Sequence, residues 1–408
     1  MVDILVIDDD PIIRRILQRV LQNQGYQVLL AETAAVGLSQ AKAEEPAVIL
    51  CDWRLPGQLD GLEICRQLKT HPRLSTTFFL LITGHAETAN RVEALEAGAD
   101  DLLMKPIDMA ELKARVKSGM RLHQLTRDLR EQKQRLETEL TEAATYVQSL
   151  LPTDTEDRVR IQSRFVPSQQ LGGDCFDYYW LDPDYLVMYL LDVSGHGLGA
   201  ALLSTSVLNV LRSQSLPGTN FYRPETVLEG LNENFQMTDQ NDKYFTIWYG
   251  VYNRVTRQLS YASAGHPPAI LISESSAPGQ PSTVDQLRTP GMPVGMMPEA
   301  RYVWQRCQIP EGSRLYIFSD GVYEVPMPPV AYRPDHSADA YVSRGASAHL
   351  PQVRPTQGKM LGLEGFVQML LHRVHPAPLD DILTKIIRLR SQEALLADDL
   401  SLLEIDFG

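Results

Sequence analysis

One stretch governs how this chain can fold. From Asp108 to Pro152 nothing interrupts a helix: the run opens on Asp108-Met109-Ala110-Glu111, an acceptor with Glu three residues on, and closes at a proline. About 43 residues rising ~1.5 Å each make a rod of roughly 65 Å, too long for one domain's surface helix. One folded body is therefore expected before the rod and another after it. Leu122, Leu125, Leu129, Leu136, Leu140, Ala143, Val147 and Leu150 recur at spacings of three and four. That stripe predicts a partner helix, as a parallel homodimeric coiled coil; the alternative is an ordinary helix packed on its own domains. Two consecutive four-residue steps, Gln132 to Leu136 to Leu140, form a stutter that locally unwinds such a coil. The expected division is residues 1–120, a linker over 121–152, and 153–408.

The 408 residues suffice for two or three domains with cores of their own. A net charge of −13 excludes unspecific nucleic-acid binding, which needs a basic face. No apolar run of membrane-spanning length and no basic-then-apolar N-terminus occur, so neither membrane span nor signal peptide is expected. Cys51, Cys65, Cys175 and Cys307 lack paired metal-ligand spacing, which points to a reducing, cytoplasmic setting.

Before the rod, five short apolar runs (Val2–Ile7, Val28–Leu30, Ala47–Cys51, Phe78–Ile82, Leu102–Met104) alternate with amphipathic helical stretches. This is the pattern of a five-stranded doubly wound parallel sheet, whose ligand site lies at the carboxyl ends of the strands. Those ends carry Asp8-Asp9-Asp10, Asp52, Thr83 and Lys105-Pro106. Carboxylates gathered there need a neutraliser, and oxygen donors suit Mg2+. With a hydroxyl and an ammonium added, the chemistry indicated is phosphoryl transfer to a carboxylate. Ile4-Leu5-Val6-Ile7-Asp8-Asp9-Asp10-Pro11, Cys51-Asp52-Trp53-Arg54-Leu55-Pro56-Gly57 and Met104-Lys105-Pro106 resemble the receiver domain of two-component response regulators. The resemblance implies that Asp52 is the phosphoacceptor, phosphorylated by a sensor histidine kinase, and that Asp8 and Asp9 bind Mg2+ with it. It also implies that Thr83 and Lys105 read the phosphate, and that the Lys105–Pro106 peptide is cis. Leu102 stands where the family usually has an aromatic switch residue, so the signal is expected to leave through the last helix.

After the rod, strand-like runs follow one another directly, with helical stretches at Leu198–Ser213, Pro224–Phe235, Gly365–Arg373 and Leu379–Arg390. That order predicts an α+β domain, an antiparallel β-sandwich flanked by helices. Acids recur beside small residues at Gly172-Gly173-Asp174-Cys175-Phe176-Asp177, Leu191-Asp192-Val193-Ser194-Gly195-His196-Gly197, Phe318-Ser319-Asp320-Gly321 and Ala397-Asp398-Asp399-Leu400-Ser401. Carboxylates from four segments, without paired His or Cys, describe an oxygen-rich hard-cation site. Two such ions would activate a water and clamp a phosphoryl group. The glycines of Gly195–Gly199 do not fit a dinucleotide or P-loop fingerprint.

These segments, with Phe245-Thr246-Ile247-Trp248-Tyr249-Gly250, Ala264-Gly265-His266-Pro267-Pro268-Ala269 and Pro293-Val294-Gly295, resemble the protein phosphatase 2C superfamily in its sporulation and stress-response branch. The resemblance implies that Asp174, Asp192, Asp320, Asp398 and the Val193 carbonyl hold two Mn2+ or Mg2+ ions. It implies hydrolysis of phosphoserine or phosphothreonine on a protein, an anti-sigma-factor antagonist in a partner-switching circuit. Asp177 and Asp399 stand as further ligands, as acids behind the ligands, or as exposed groups. His196 is expected at a helix start and His266 to fix a turn, and no arginine is matched to a phosphate. Val325–Lys359, rich in Pro, Ala, Ser and His and without periodicity, reads as a flexible insertion. The alternatives are a phosphoprotein-binding module without turnover, or a transcriptional regulator, for which no helix-turn-helix or basic face is visible.

Overall fold

The computed structural model describes residues 2–84, 88–168, 171–240, 242–273, 282–326, 360–372, 379–389 and 398–408. All but the first two residues of the expected insertion, Val325 and Pro326, therefore lie outside the described residues. The chain divides into two compact units, Met1–Thr138 and Glu139–Gly408.

In the first unit β1 (Ile4–Ile7), β2 (Val28–Ala31), β3 (Val48–Asp52), β4 (Phe78–Thr83) and β5 (Asp101–Met104) form a parallel sheet in the order β2-β1-β3-β4-β5. Both faces of the central strands are buried, which is why they read as unbroken apolar runs. On one face Ile7, Cys51 and Leu81 pack under α2 (Ala34–Glu44) and α3 (Gly61–Lys69). On the other, Val6, Leu50 and Leu80 meet Leu17 and Leu21 of α1 (Pro11–Gln22), and Leu112 and Val116 of the helix that follows α4 (Thr88–Glu96) and β5, α5 (Met109–Leu150). The register pairs Ile7 with Cys51, and Asp52 with Ile82, so the acids after β1 and on β3 leave the sheet at the same edge. The Lys105–Pro106 bond is cis.

The rod is one helix, α5 (Met109–Leu150), which straddles the division between the units. Asp108 Oδ1 accepts from the backbone amides of Ala110 (2.7 Å) and Glu111 (3.3 Å), half of the expected box. The other half is missing because the Glu111 carboxylate instead takes Arg115 Nε at 2.9 Å. Past Gly119 the leucine stripe emerges from its own unit: Leu122, Leu125, Leu129, Leu136 and Leu140 are all exposed.

The second unit holds two five-stranded antiparallel sheets. One runs β13 (Gln305–Gln308), β10 (Gln258–Ala264), β9 (Phe245–Asn253), β8 (Tyr185–Val193), β7 (Cys175–Trp180). The other runs β12 (Thr283–Leu287), β11 (Ala269–Ser273), β14 (Arg314–Phe318), β15 (Leu400–Asp406), β6 (Arg160–Val166). Between them Phe176, Leu190 and Trp248 meet Ile161, Leu315 and Leu403. On the outside, α6 (Leu198–Arg212) and α7 (Pro224–Asn234) cover the first sheet, and α8 (Gly362–Leu371) and α9 (Leu379–Leu389) the second. The period-two pattern of β8, odd residues toward the helices and even ones toward the second sheet, builds this layering. Two strands escaped the sequence reading. β7 was hidden because its acids look like loop residues, and β12 because Thr283–Gln286 lies largely exposed at an edge.

Candidate functional sites

At the carboxyl edge of the parallel sheet, Asp8, Asp9 and Asp52 bring oxygens within 4.8 Å of one another. Asp8 is fully buried, and its Oδ1 accepts from the Asp10 amide at 2.8 Å. Asp10 itself caps α1, accepting from Ile12 N at 2.7 Å, which separates its task from that of its neighbours. Lys105 Nζ reaches Asp52 Oδ2 at 2.8 Å and Asp8 Oδ2 at 3.4 Å. Burial raises the Asp8 carboxyl, with the Asp52 charge adding to it and Lys105 opposing. Burial works against the Lys105 ammonium, yet the bond to Asp52 and the charges of Asp52 and Asp8 hold it above its ordinary value. Thr83 is buried at the end of β4, and its carbonyl accepts from Lys105 N at 2.7 Å. Every receiver residue singled out from the sequence stands on this edge. Three carboxylate donors in reach of one ion fit Mg2+.

The second set of acids is arranged differently. Asp192, near the end of β8, pairs across the ladder with Thr246. Together with His266, Arg288, Asp320 and Tyr323 these residues line a cleft of about 280 Å³. Asp174, just before β7, is buried and accepts from Ser401 Oγ at 2.7 Å. Ser401 N in turn donates to Ser319 Oγ at 3.0 Å, which ties the segment before Asp320 to the start of β15. Burial pushes Asp192 up to about 8, with Asp320, Asp398 and Asp399 adding to the rise. Burial raises Asp174 too, helped by Asp192 and Asp399. The acids predicted from sequence therefore lie in one another's field. Among the described residues they form no trio of oxygens as tight as that of Asp8, Asp9 and Asp52. An oxygen-only donor set drawn from four segments fits hard cations such as Mg2+ or Mn2+.

Asp399 is settled by the geometry. It is buried, with Oδ1 accepting from Ser168 N (2.8 Å) and Oδ2 from Asp174 N (3.2 Å), so it fixes the backbone that presents Asp174. The fit leaves no room for a side chain at Gly172, where a Cβ would sit 1.5 Å from Asp399 Oδ2. A Cβ at Gly173 would come within 2.7 Å of the Val193 carbonyl oxygen. Asp177 is also buried, inside β7, and Arg212 Nε donates to its Oδ2 at 2.5 Å. His196 lies exposed just ahead of α6. His266 is buried, sharing a 2.9 Å hydrogen bond between Nδ1 and Thr246 Oγ1, while Nε2 has no hydrogen-bond partner. Burial lowers its pKa to about 3, against a smaller pull from the Phe318 carbonyl, so the ring is neutral. Arg288 is the residue that sequence reasoning missed outright. It belongs to no acidic motif and follows a strand that carried no signal.

A sequence model of the Stage II sporulation protein E family matches residues 182–408, more than half of the chain. The chain belongs to that family. A response regulator receiver domain matches residues 4–117. Asp192, Asp320 and Asp398 fall inside the family match, and Asp174 lies just ahead of it. The phosphoserine phosphatase RsbU of Bacillus subtilis is 29% identical over 204 residues, which cover 50% of this chain and 57% of RsbU. The phosphoserine phosphatase RsbP of the same organism is 29% identical over 180 residues, covering 43% of this chain and 42% of RsbP. The chain thus spans about half the length of the curated relatives it matches. The SiaA-PP2C domain of Pseudomonas aeruginosa shares the fold, with a TM-score of 0.50 at 16% identity over 68% of this chain and 98% of that one. Among the described residues no helix is long and apolar enough to cross a membrane.

Proposed function

We propose that this chain is a phosphorylation-controlled phosphatase that hydrolyses phosphoserine or phosphothreonine on a protein. The observation that carries the reading is the cleft where Asp192 and Asp320 meet, with Asp192 driven to about 8 by burial and by its acidic neighbours. Acids held at that cost to their charged forms are poised for cations, not for a closed structural role. Asp174, Asp192, the Val193 carbonyl, Asp320 and Asp398 would hold two Mn2+ or Mg2+ ions. When bound, the ions would supply Lewis acidity toward the phosphoryl oxygens and a nucleophile at neutral pH. The protein's own contribution is placement: Asp399 and Ser401 hold Asp174, and the Ser319–Ser401 link positions the segment leading to Asp320. The phosphorylated substrate in this reading is an anti-sigma-factor antagonist, which rests on the family resemblance alone, while likeness to two phosphoserine phosphatases, RsbU and RsbP, supports the phosphoserine part.

In the receiver domain, residues 1–120, Asp52 would accept the phosphoryl group from a sensor histidine kinase, with Asp8, Asp9 and Asp52 holding Mg2+. Thr83 and Lys105 would contact that phosphoryl group. Residues 121–152 would serve as the transmitting linker to the phosphatase domain, 153–408, and as the homodimer contact through the exposed leucine stripe. What supports transmission is Arg212. Its Nη2 donates to the carbonyl of Leu150, the last residue of α5, at 2.7 Å, while its Nε holds Asp177 three residues beyond Asp174. A shift of the helix end would reach the metal acids through that guanidinium.

The test is hydrolysis of p-nitrophenyl phosphate and of a phosphoserine peptide by the Mn2+-loaded full chain, with and without a beryllofluoride phosphate mimic. Asp192→Ala and Asp320→Ala are each expected to lower turnover on the order of 10³-fold. Equal residual activity in the wild type and both variants would sink the enzyme reading. A wild type indifferent to beryllofluoride would sink the regulated one.

A further inference from the structure

We propose that Arg288 is the side chain that grips the phosphoryl group in the cleft lined by Asp192 and Asp320. The proposal rests on the phosphatase reading above and adds to it a substrate-binding residue that no acidic motif contains.

Arg288 is held in place by its neighbours rather than by its own side chain. The Leu287 carbonyl accepts from Trp248 Nε1 at 2.9 Å, and Leu287 itself is buried. On the other side, Thr289 Oγ1 accepts from Ser263 N at 2.7 Å, and Thr289 N donates to Ser263 Oγ at 3.4 Å. Both anchors belong to buried strands of the opposite sheet, β9 and β10. The residue between them cannot drift, and its side chain lines the cleft with Asp192, Asp320, His266 and Tyr323.

The chemistry follows from what the guanidinium does not do. Among the described residues Arg288 forms no ion pair, although the cleft holds two carboxylates. Among the described residues that line the cleft it is also the one cationic side chain, because His266 is buried in its neutral form. A phosphoserine brings roughly −1.5 to −2 charges and three acceptor oxygens into an acidic cleft, where carboxylates repel it. A planar fork with five donors matches two of those oxygens at once, and an ammonium does not. An exposed guanidinium fixed only through its backbone is free to swing onto such a group.

The experiment uses the Mn2+-loaded full chain as wild type, Arg288→Ala and Arg288→Lys. Three readouts are taken: KM and kcat for p-nitrophenyl phosphate, inhibition by inorganic phosphate, and calorimetric titration with inorganic phosphate. Loss of a charge-assisted pair is expected to raise KM, the inhibition constant and the phosphate Kd together by about 10-fold or more in Arg288→Ala. Arg288→Lys should recover only part of this, since it keeps the charge and loses the fork. Wild-type phosphate affinity in Arg288→Ala overturns the proposal, whatever happens to kcat. So does a fall in kcat accompanied only by a lower melting temperature, which is the mark of a structural residue. A wild type that binds phosphate through Arg288 but turns nothing over would overturn the phosphatase reading and leave this one standing.

Discussion

In the receiver domain, Asp8 and Asp52 share the ammonium of Lys105, whereas in the sporulation-family domain Asp192 faces Asp320, Asp398 and Asp399 and rises to about 8. Both clusters gather acids at strand ends, yet one carries its own counter-charge. In the first, Lys105 Nζ lies within ion-pair distance of both Asp8 and Asp52. The second supports its acids with neutral donors: Ser401 for Asp174, and the amides of Ser168 and Asp174 for Asp399. The domain does own cations, but Arg212 is committed to Asp177 and to the end of α5, and Arg288 lines the cleft without forming an ion pair with either carboxylate. The difference separates an acid cluster that holds its own cation from one that does not.

The most direct way to break this contrast is to take the lysine away. Lys105→Met should make the receiver cluster resemble the other one, leaving the buried Asp8 and Asp52 uncompensated. Removing one partner of a buried ion pair costs about 3 kcal/mol. That loss is expected in chelator and should be largely reversed by millimolar Mg2+. Hydrogen exchange of the β1 and β3 amides would report it. If exchange in the variant is indifferent to Mg2+, the counter-charge argument fails.

Much of this contrast could be read from the residues, and some could not. The acids after β1 and at the end of β3, with Lys105, were visible because a parallel sheet sends its strand ends to one edge, so order along the chain fixes neighbourhood in space. Asp192 and Asp320 were visible for a related reason, both lying near a strand end, Asp320 directly before a glycine and Asp192 three residues before one. Asp177 and Asp399 were not separable by sequence. Both are acids near an expected ligand, and only the pairing of β7 with β8 turns Asp177 toward Arg212, while Gly172 admits Asp399. Arg288 left no trace, because its position depends on hydrogen bonds from Trp248 and Ser263, each at least 25 residues away in sequence.

A smaller effect sharpens the role given to the neutral donors. Gly172→Ala puts a methyl where Asp399 Oδ2 now sits, so Asp399 must leave and the amides of Ser168 and Asp174 lose their acceptor. Asp174 keeps its carboxylate but not its placement. Metal affinity is expected to fall about 10- to 100-fold, the range seen when a group supporting a ligand is removed. Isothermal titration with Mn2+ measures this, and Gly25→Ala, at an open turn with nothing within 4 Å, serves as the control for backbone strain at a surface site. Unchanged Mn2+ affinity in Gly172→Ala would mean that Asp399 is a bystander.

The last effect comes from the neutral ring in the same cleft. His266 falls from 6.5 to about 3 on folding because burial disfavours its charged form. Between those values the unfolded chain binds a proton that the folded chain refuses. The stability contributed by neutral His266 is therefore fully present above pH 6.5 and is lost as pH falls toward 3, by up to about 1.4 kcal/mol per pH unit. Asp192 and Asp320 face the same cleft, and Asp192, raised on folding, has the opposite sign. Only the difference between variants isolates the histidine. His266→Gln, able to keep a hydrogen bond to Thr246, should be the less stable protein at pH 7.5 and should close the gap by pH 5.5, as read from melting temperatures in chelator. A gap that stays constant with pH would assign His266 to packing alone and leave the carboxylates as the cleft's titrating groups.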